Sequence, residues 1–169
     1  THFNIAKDMY LHGRYDLAAN HFNQALIEKP NWPIVHDYLG NIYYLRNKFS
    51  PAVEHWRKAL AAKPEDFIET LNNLAWLLAA LENENFYNPP EALKLAQTAC
   101  QLTEHSRPGF LDTLAIAYAA GGDFQMAIKT AQKAIDLAKT EKESTLAEKI
   151  TARLALYKQR KPYRKNTTD

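Results

Sequence analysis

A periodic pattern of small, aromatic and proline residues limits what this chain can fold into. Pro64 follows Pro30 by 34 residues, and other positions recur at the same period with similar residues. The earlier copy contains Ile5, Ala6, Met9, Tyr15, Ala18, Phe22, Ala25 and Leu26; the next contains Leu39, Gly40, Tyr43, Phe49, Ala52, Trp56, Ala59 and Leu60. A fixed period of this length indicates repeated structural units.

The same order of residue types occurs twice more along the chain. The third copy contains Leu74, Ala75, Leu78, Ala92, Ala96, Ala99 and Cys100; the fourth contains Leu114, Ala115, Tyr118, Phe124, Ala127, Ala131, Ala134 and Ile135. Apolar residues at helical spacing, with prolines at the boundaries, predict two helices in each copy. One helical pair cannot bury its apolar face alone, so we expect the pairs to stack.

This pattern resembles the tetratricopeptide repeat (TPR) over roughly residues 1–139, in the manner of bacterial multi-repeat proteins. The resemblance implies an all-α fold, a helical-hairpin solenoid of four repeats plus a C-terminal capping helix, coiled as a right-handed superhelix. The predicted units are repeats 1–32, 33–66, 67–107 and 108–139, a capping helix at 140–161 and a basic tail at 162–169.

Two regions depart from the repeat. Leu74 and Ala92 are 18 residues apart where the other copies have 13, which predicts an inserted loop at 82–90. Phe86 and Tyr87 in this loop either fold back onto the repeats or contact a partner. At the end of the chain, Thr140-x-x-Glu143 has the form of a capping box for the last helix, and we expect the basic tail to be frayed.

Composition and the lack of known motifs argue against catalysis or metal binding by this chain. Its net charge is +2, no apolar run approaches the roughly 20 residues of a membrane span, and none of the six histidines forms a zinc motif. No phosphate-binding loop and no nucleophile–base pair is present. We therefore predict no enzyme activity, no catalytic residues, no metal and no cofactor, and we interpret Cys100 as a small buried hydrophobe.

The resemblance to TPR proteins places a partner-binding groove along the first helix of each repeat. Its predicted lining is Phe3, Lys7, Tyr10, Asp37, Asn41, Tyr44, Glu69, Asn72, Trp76, Asp112 and Ile116. This set contains three acidic residues and one basic residue, Lys7, so the groove is net acidic and we expect a basic or neutral partner. The alternative is that Tyr10, Tyr44 and Trp76 only fill gaps between helices. One TPR subclass grips a terminal carboxylate with cations, but Asp37, Gly109 and Thr113 occupy those positions here, which disfavours such binding.

The sequence favours a non-catalytic scaffold that binds a protein or peptide. The alternative is a C-terminal TPR appendage of a larger enzyme, such as a bacterial membrane glycosyltransferase. We expect no nucleic-acid partner and no direct membrane insertion, and an oligomer is possible but not indicated. The cellular compartment stays open: we expect a soluble domain, either alone or as part of a longer or membrane-attached protein, because Thr1 already lies within a predicted helix.

Overall fold

The computed structural model describes residues 1–82 and 85–165, and this part of the chain is helical. It contains nine α-helices and one 3-10 turn (Pro64–Asp66), and the extended pairing within it is limited to one isolated bridge between Leu81 and Lys165. The helices are α1 (His2–Leu11), α2 (Tyr15–Glu28), α3 (Pro33–Leu45), α4 (Phe49–Leu60), α5 (Ile68–Ala80), α6 (Pro89–Leu102), α7 (Pro108–Ala120), α8 (Phe124–Thr140) and α9 (Ser144–Lys158). The prediction of an all-α helical-hairpin fold is confirmed.

The chain divides into two compact units, and the division falls within α5, between Thr70 and Leu71. In the first unit, α1 packs on α2, α2 on α3, and α3 on α4. In the second unit, α6 packs on α7, α7 on α8, and α8 on α9. We call α1, α3, α5 and α7 the A helices, and α2, α4, α6 and α8 the B helices.

Aromatic rings fill the core of the first unit. Phe22 and Trp56 are fully buried, and burial of side chains this large contributes roughly 2–3 kcal/mol each. The Phe22 ring stacks on Tyr38 at 5.0 Å, and Phe3 stacks on Trp32 at 4.9 Å. Gly40 makes room for the Trp56 indole, because a Cβ atom built on Gly40 would lie 2.3 Å from the ring. This contact explains why the second copy has glycine where the other three copies have alanine.

Aliphatic residues dominate the core of the second unit. Every residue of α7 from Pro108 to Ala117 is buried except Gly109. The capping helix α9 contributes Ile150 and Tyr157, both without exposed surface. An A helix that is buried nearly all round needs neighbours on more than one side, and α9 is one of them, because it contacts both α7 and α8.

The helix boundaries follow local chemistry. The Asn88 side chain accepts a hydrogen bond from the Glu91 N–H at 3.3 Å, which caps the start of α6. Gly122, the second residue after α7, takes a φ of +86°, as is common for glycine at a helix end. The predicted capping box is wrong: α8 continues through Thr140, whose hydroxyl donates to the Asp136 carbonyl at 3.0 Å, and Glu143 precedes α9 without a side-chain cap.

Candidate functional site

In the first unit, a polar network joins two of the predicted groove positions and their neighbours. The Trp56 indole donates to the Asn41 side-chain oxygen at 3.0 Å, and the Asn41 amide donates to Asp37 at 3.4 Å. The Thr70 hydroxyl also donates to Asp37. Burial raises the pKa of the Asp37 carboxyl, and the hydrogen bond from Thr70 opposes that rise. The network holds Asn41 and Asp37 in fixed orientations on α3.

The predicted aromatic positions of the first unit are half-buried and in contact with other rings. Tyr44 lies over Trp56 at 5.4 Å, and Tyr10 meets the edge of Tyr38 at 4.9 Å. Phe3 likewise packs against Trp32. These rings therefore fill gaps between helices and keep part of their surface accessible. Lys7 and Glu69 are exposed.

In the second unit, Asn72 and Trp76 are half-buried, whereas Leu71, Leu74 and Leu78 on the same helix are covered. Asn72 and Trp76 are four residues apart, so they share one face of α5. The structure therefore separates these polar and aromatic positions from the packing positions, as the repeat pattern predicts.

The two groove positions predicted on α7 do not fit an accessible surface. Ile116 has no exposed surface, and Asp112 is 5% exposed. Asp112 forms a buried ion pair with Arg153 of α9. Burial raises the pKa of the Asp112 carboxyl to about 6, although the Arg153 charge acts in the opposite direction. No spacing in the sequence indicates that Asp112 pairs with Arg153, 41 residues away. Because Asp112 and Ile116 are both buried, neither belongs to a surface that binds a partner protein.

The predicted basic tail is partly ordered, which corrects the expectation that it is frayed. Residues 161–165, which we call the returning segment, lead back to the end of α5; residues 166–169 lie outside the described part. Arg160 reverses the chain after α9 with a φ of +58°. The Lys165 N–H then donates to the Ala80 carbonyl at 2.7 Å, and the Glu82 N–H donates to the Lys165 carbonyl at 3.0 Å.

Cation–π contacts hold the side chains of the returning segment. The Arg164 guanidinium lies 3.7 Å from the centre of the Tyr87 ring and donates to the Ala79 carbonyl at 3.2 Å. The Lys165 ammonium lies 5.8 Å from the Trp76 ring centre, and Arg153 lies 4.5 Å from that of Tyr163. Contacts of this kind contribute about 0.5–1 kcal/mol each at exposed sites.

A cleft of 770 Å³ lies between α5, α9 and the returning segment. Its lining consists of Trp76, Lys149, Ala152, Arg153, Leu156, Tyr163, Arg164 and Lys165. Four of these residues are cations and none is a carboxylate, so the expectation of a net acidic groove is wrong at this place. Sequence reasoning missed the cations because they come from α9 and the tail instead of the A helices.

The inserted loop contributes to the same unit. The Tyr87 hydroxyl donates to the Ala120 carbonyl at 2.7 Å, while its ring supports Arg164. Of the two roles considered for Tyr87, the structure therefore shows the fold-back onto the repeats.

The histidine pair His36 and His55 and the thiol of Cys100 are packed among the helices rather than placed in a reactive site. His36 Nε2 lies 3.0 Å from the Pro30 carbonyl, and His36 Nδ1 lies 2.9 Å from His55 Nδ1. Burial lowers the pKa of His55 to about 4, with the His36 charge as the next cause. Burial raises the pKa of the Cys100 thiol to about 11, which fits a small core residue.

Within residues 1–82 and 85–165, no group of three or more acidic, histidine or cysteine side chains is placed to hold a metal ion. No helix of this part combines the length and the apolar character needed to cross a membrane.

Solved structures with the same fold include a TPR protein, the MamA protein and a type IV pilus biogenesis factor. TTC0263, a TPR protein of Thermus thermophilus, is 19% identical, with a TM-score of 0.61 over 88% of this chain and 79% of its own. The MamA protein is 17% identical, with a TM-score of 0.67 over 94% and 87%. PilW, a type IV pilus biogenesis factor, is 18% identical, with a TM-score of 0.62 over 94% and 76%.

No model of a known protein family matches the sequence, and no curated protein sequence matches it significantly. The structural similarity nevertheless defines the class: this chain is a helical-repeat protein with the TPR fold.

Proposed function

We propose that this chain is a non-catalytic interaction module that binds a peptide or partner domain on the exposed side of its A helices. The observation that carries this proposal is Trp76, a half-buried indole that lines an open cleft on the second unit. Large aromatic residues in partly enclosed sites are the usual energetic centres of protein interfaces, because they bury much area with little loss of side-chain freedom.

The first unit offers a second, separate set of contacts. Tyr44 presents part of a ring that is already immobilised over Trp56, and Asn41 is oriented by the indole of the same residue. Prearranged side chains lose less conformational freedom when a partner binds. Exposed Lys7 and Glu69 and half-buried Phe3, Tyr10 and Asp37 complete the proposed contact residues of this unit, and half-buried Asn72 joins Trp76 on the second unit.

The test uses the immobilised chain as bait for proteins of the parent organism, followed by affinity measurement with the retained partner. Trp76→Ala and Tyr44→Ala are compared with Lys129→Ala, an exposed change on the B helix α8. Each variant is first checked for an unchanged helical spectrum. We expect at least one aromatic variant to lose more than about tenfold in affinity, equivalent to about 1.4 kcal/mol, while Lys129→Ala binds like the wild type. Equal binding by all three variants would contradict the proposal.

The enzyme-appendage alternative concerns the parent protein and stays a prediction. The full-length gene tests it directly, because an upstream catalytic domain with membrane spans is what this alternative requires. The interaction role of the described helices is compatible with either arrangement.

A further inference from the structure

The cleft of the second unit has a charge character that selects its ligand. Lys149, Arg153, Arg164 and Lys165 line it, and the acid paired with one of them is Asp112, behind Arg153. Four cations less one carboxylate leave a formal charge of +3. Clustered charge of one sign at a recessed surface concentrates the field and attracts ligands of the opposite sign.

Among the described residues, three of the four cations have no carboxylate paired with them. Lys149 is exposed, and it takes part in none of the ion pairs of the described residues. Arg164 donates to a carbonyl and stacks on a ring, and Lys165 stacks on Trp76, so neither contact cancels charge. Guanidinium and ammonium groups form their strongest hydrogen bonds with carboxylates and other anions. Their charges are therefore available to a ligand.

The wall of the cleft is prearranged, although it consists of tail residues. The two backbone hydrogen bonds of the bridge fix Lys165, at 2.7 Å and 3.0 Å. Tyr87 supports Arg164 from the other side and is itself anchored to Ala120. A ligand that enters the cleft meets Arg164 and Lys165 in positions that are already set, which lowers the entropy lost on binding.

The apolar side chains and the backbone groups beside the cations indicate a peptide as the ligand. Trp76, Tyr163, Ala152 and Leu156 supply apolar contact area beside the charges. The backbone N–H and carbonyl of Tyr163 form no hydrogen bond with the backbone of the described residues, so a bound peptide could pair with them. A bare anion would use the charges but not the apolar wall or the backbone groups.

We propose that the cleft formed by Trp76, α9 and the returning segment binds an acidic peptide segment of a partner protein. Glutamate or aspartate side chains meet Lys149, Arg164 and Lys165, and an apolar or aromatic side chain packs beside Trp76. This inference rests on the proposed interaction function and names the partner class for its second-unit site. The cations lie on α9 and the tail, away from the A-helix positions at which the carboxylate-binding TPR subclass has them.

The test measures binding of short fluorescent peptides to the full chain by anisotropy. One peptide is rich in glutamate and has a single phenylalanine; matched peptides replace glutamate by lysine or by glutamine. Inorganic phosphate and single-stranded oligothymidylate serve as competitors. We expect the acidic peptide to bind, its affinity to fall with salt, and the lysine and glutamine peptides to bind at least about tenfold more weakly.

Paired charge reversals locate the site. Lys149→Glu with Lys165→Glu should weaken binding of the acidic peptide by about tenfold or more. Lys129→Glu with Lys133→Glu makes the same change of net charge at exposed positions of α8 and should change binding less than about twofold. Because Lys149 is exposed and has no ion-pair partner among the described residues, Lys149→Glu alone serves as a second variant that leaves the fold intact.

Several results would overturn the inference. These are equal binding of the acidic and lysine peptides, equal losses in the two double variants, or competition by phosphate or oligothymidylate as effective as that by the unlabelled peptide. If a natural partner depends on Tyr44 but not on Lys149 and Lys165, the proposed function stands and this inference falls. If no protein partner is retained and the acidic peptide does not bind, both fall.

Discussion

The acids at one repeat position have different partners in the two units. Asp37 of the first unit and Asp112 of the second each precede the repeat leucine by two residues, Leu39 and Leu114. Asp37 is half-buried and accepts hydrogen bonds from neutral groups of Thr70 and Asn41. Asp112 is almost fully buried and paired with the Arg153 cation.

The difference shows what the capping helix changes. The helix α9 covers Asp112 with a cation of its own, and the tail that follows it adds further cations beside Trp76. The same repeat position is thus a half-buried acid in the first unit. In the second unit it is a buried acid beside a cleft lined by cations. The cap and the tail therefore change the charge that the second unit presents at this position.

Removal of the cap should have the largest effect. A chain that stops after Glu143 loses Ile150, Leu154 and Tyr157, which are buried against the second unit. It leaves Asp112 without its cation and exposes apolar surface on α7 and α8. We expect aggregation or loss of cooperative unfolding, measured by light scattering and thermal melting. A truncated chain that is monomeric and equally stable would show that α9 is not a cap.

Breaking the two acid contacts separately sharpens the comparison. Arg153→Met leaves a buried carboxylate without a partner, which typically costs about 3–5 kcal/mol, whereas Thr70→Val removes a neutral hydrogen bond and costs about 1 kcal/mol. The pKa of Asp112, about 6 in the folded protein, lies above its ordinary value of 3.8. Stability linked to this carboxyl is present at low pH and is lost as the pH rises through 6.

The Arg153→Met loss, measured by urea unfolding, should therefore be larger at pH 8 than at pH 5. The added change Asp112→Asn, which removes the buried charge, should recover part of the stability at pH 8. Equal losses for Arg153→Met and Thr70→Val, or no dependence on pH, would contradict the difference between the two positions.

Two glycine substitutions test how tightly each unit is packed. Gly40→Ala places a methyl group against the immobile Trp56 ring and should cost about 1–3 kcal/mol or more. Gly109→Ala, on α7, meets nothing within 4 Å and should be neutral or stabilise by up to about 1 kcal/mol through helix propensity. Thermal and urea unfolding measure both, and a harmless Gly40→Ala would contradict the packing around Trp56.

The histidine pair predicts a smaller, pH-dependent effect confined to the first unit. The Pro30 carbonyl can only accept, so neutral His36 carries its proton on Nε2 and accepts from His55 at Nδ1. The pKa of His55 is about 4 in the folded protein against an ordinary 6.5. Its contribution to stability is present above pH 6.5 and is lost as the pH falls toward 4.

The melting temperature of the wild type should fall between pH 7 and pH 4.5. For His55→Gln, whose side chain can still donate to His36, we expect this fall to be smaller by a few degrees. The charged neighbours Lys58 and Glu54 are unchanged by this substitution. His12→Gln, at an exposed position, controls for the loss of one imidazole. A His55→Gln curve parallel to that of the wild type would show that His55 is not the responsible group.

Sequence reasoning reached the fold because its determinants are periodic. Phe22 and Trp56 are 34 residues apart, as are Ala25 and Ala59, and the burial of all four follows from that interval. The predicted capping box failed because Thr140 could hydrogen-bond to its own helix just as well as start the next one.

The candidate site was less predictable because its contacts are not periodic. Arg153 reaches Asp112 across 41 residues of sequence, and Arg164 meets Tyr87 through a cation–π contact. A short basic tail has no apolar pattern, and its placement depends on two backbone hydrogen bonds and ring contacts. Such pairings become visible only when the chain has been folded.

Hydrogen–deuterium exchange with and without a partner retained by the immobilised chain tests the central claim most directly. Binding on the A-helix side should slow exchange in α3 or α5, and binding in the cationic cleft should also slow it in the returning segment, where the Lys165 amide is bonded to Ala80. The B helices α4, α6 and α8 should be unchanged. Protection confined to those B helices, with α3, α5 and the returning segment unaffected, would contradict this account.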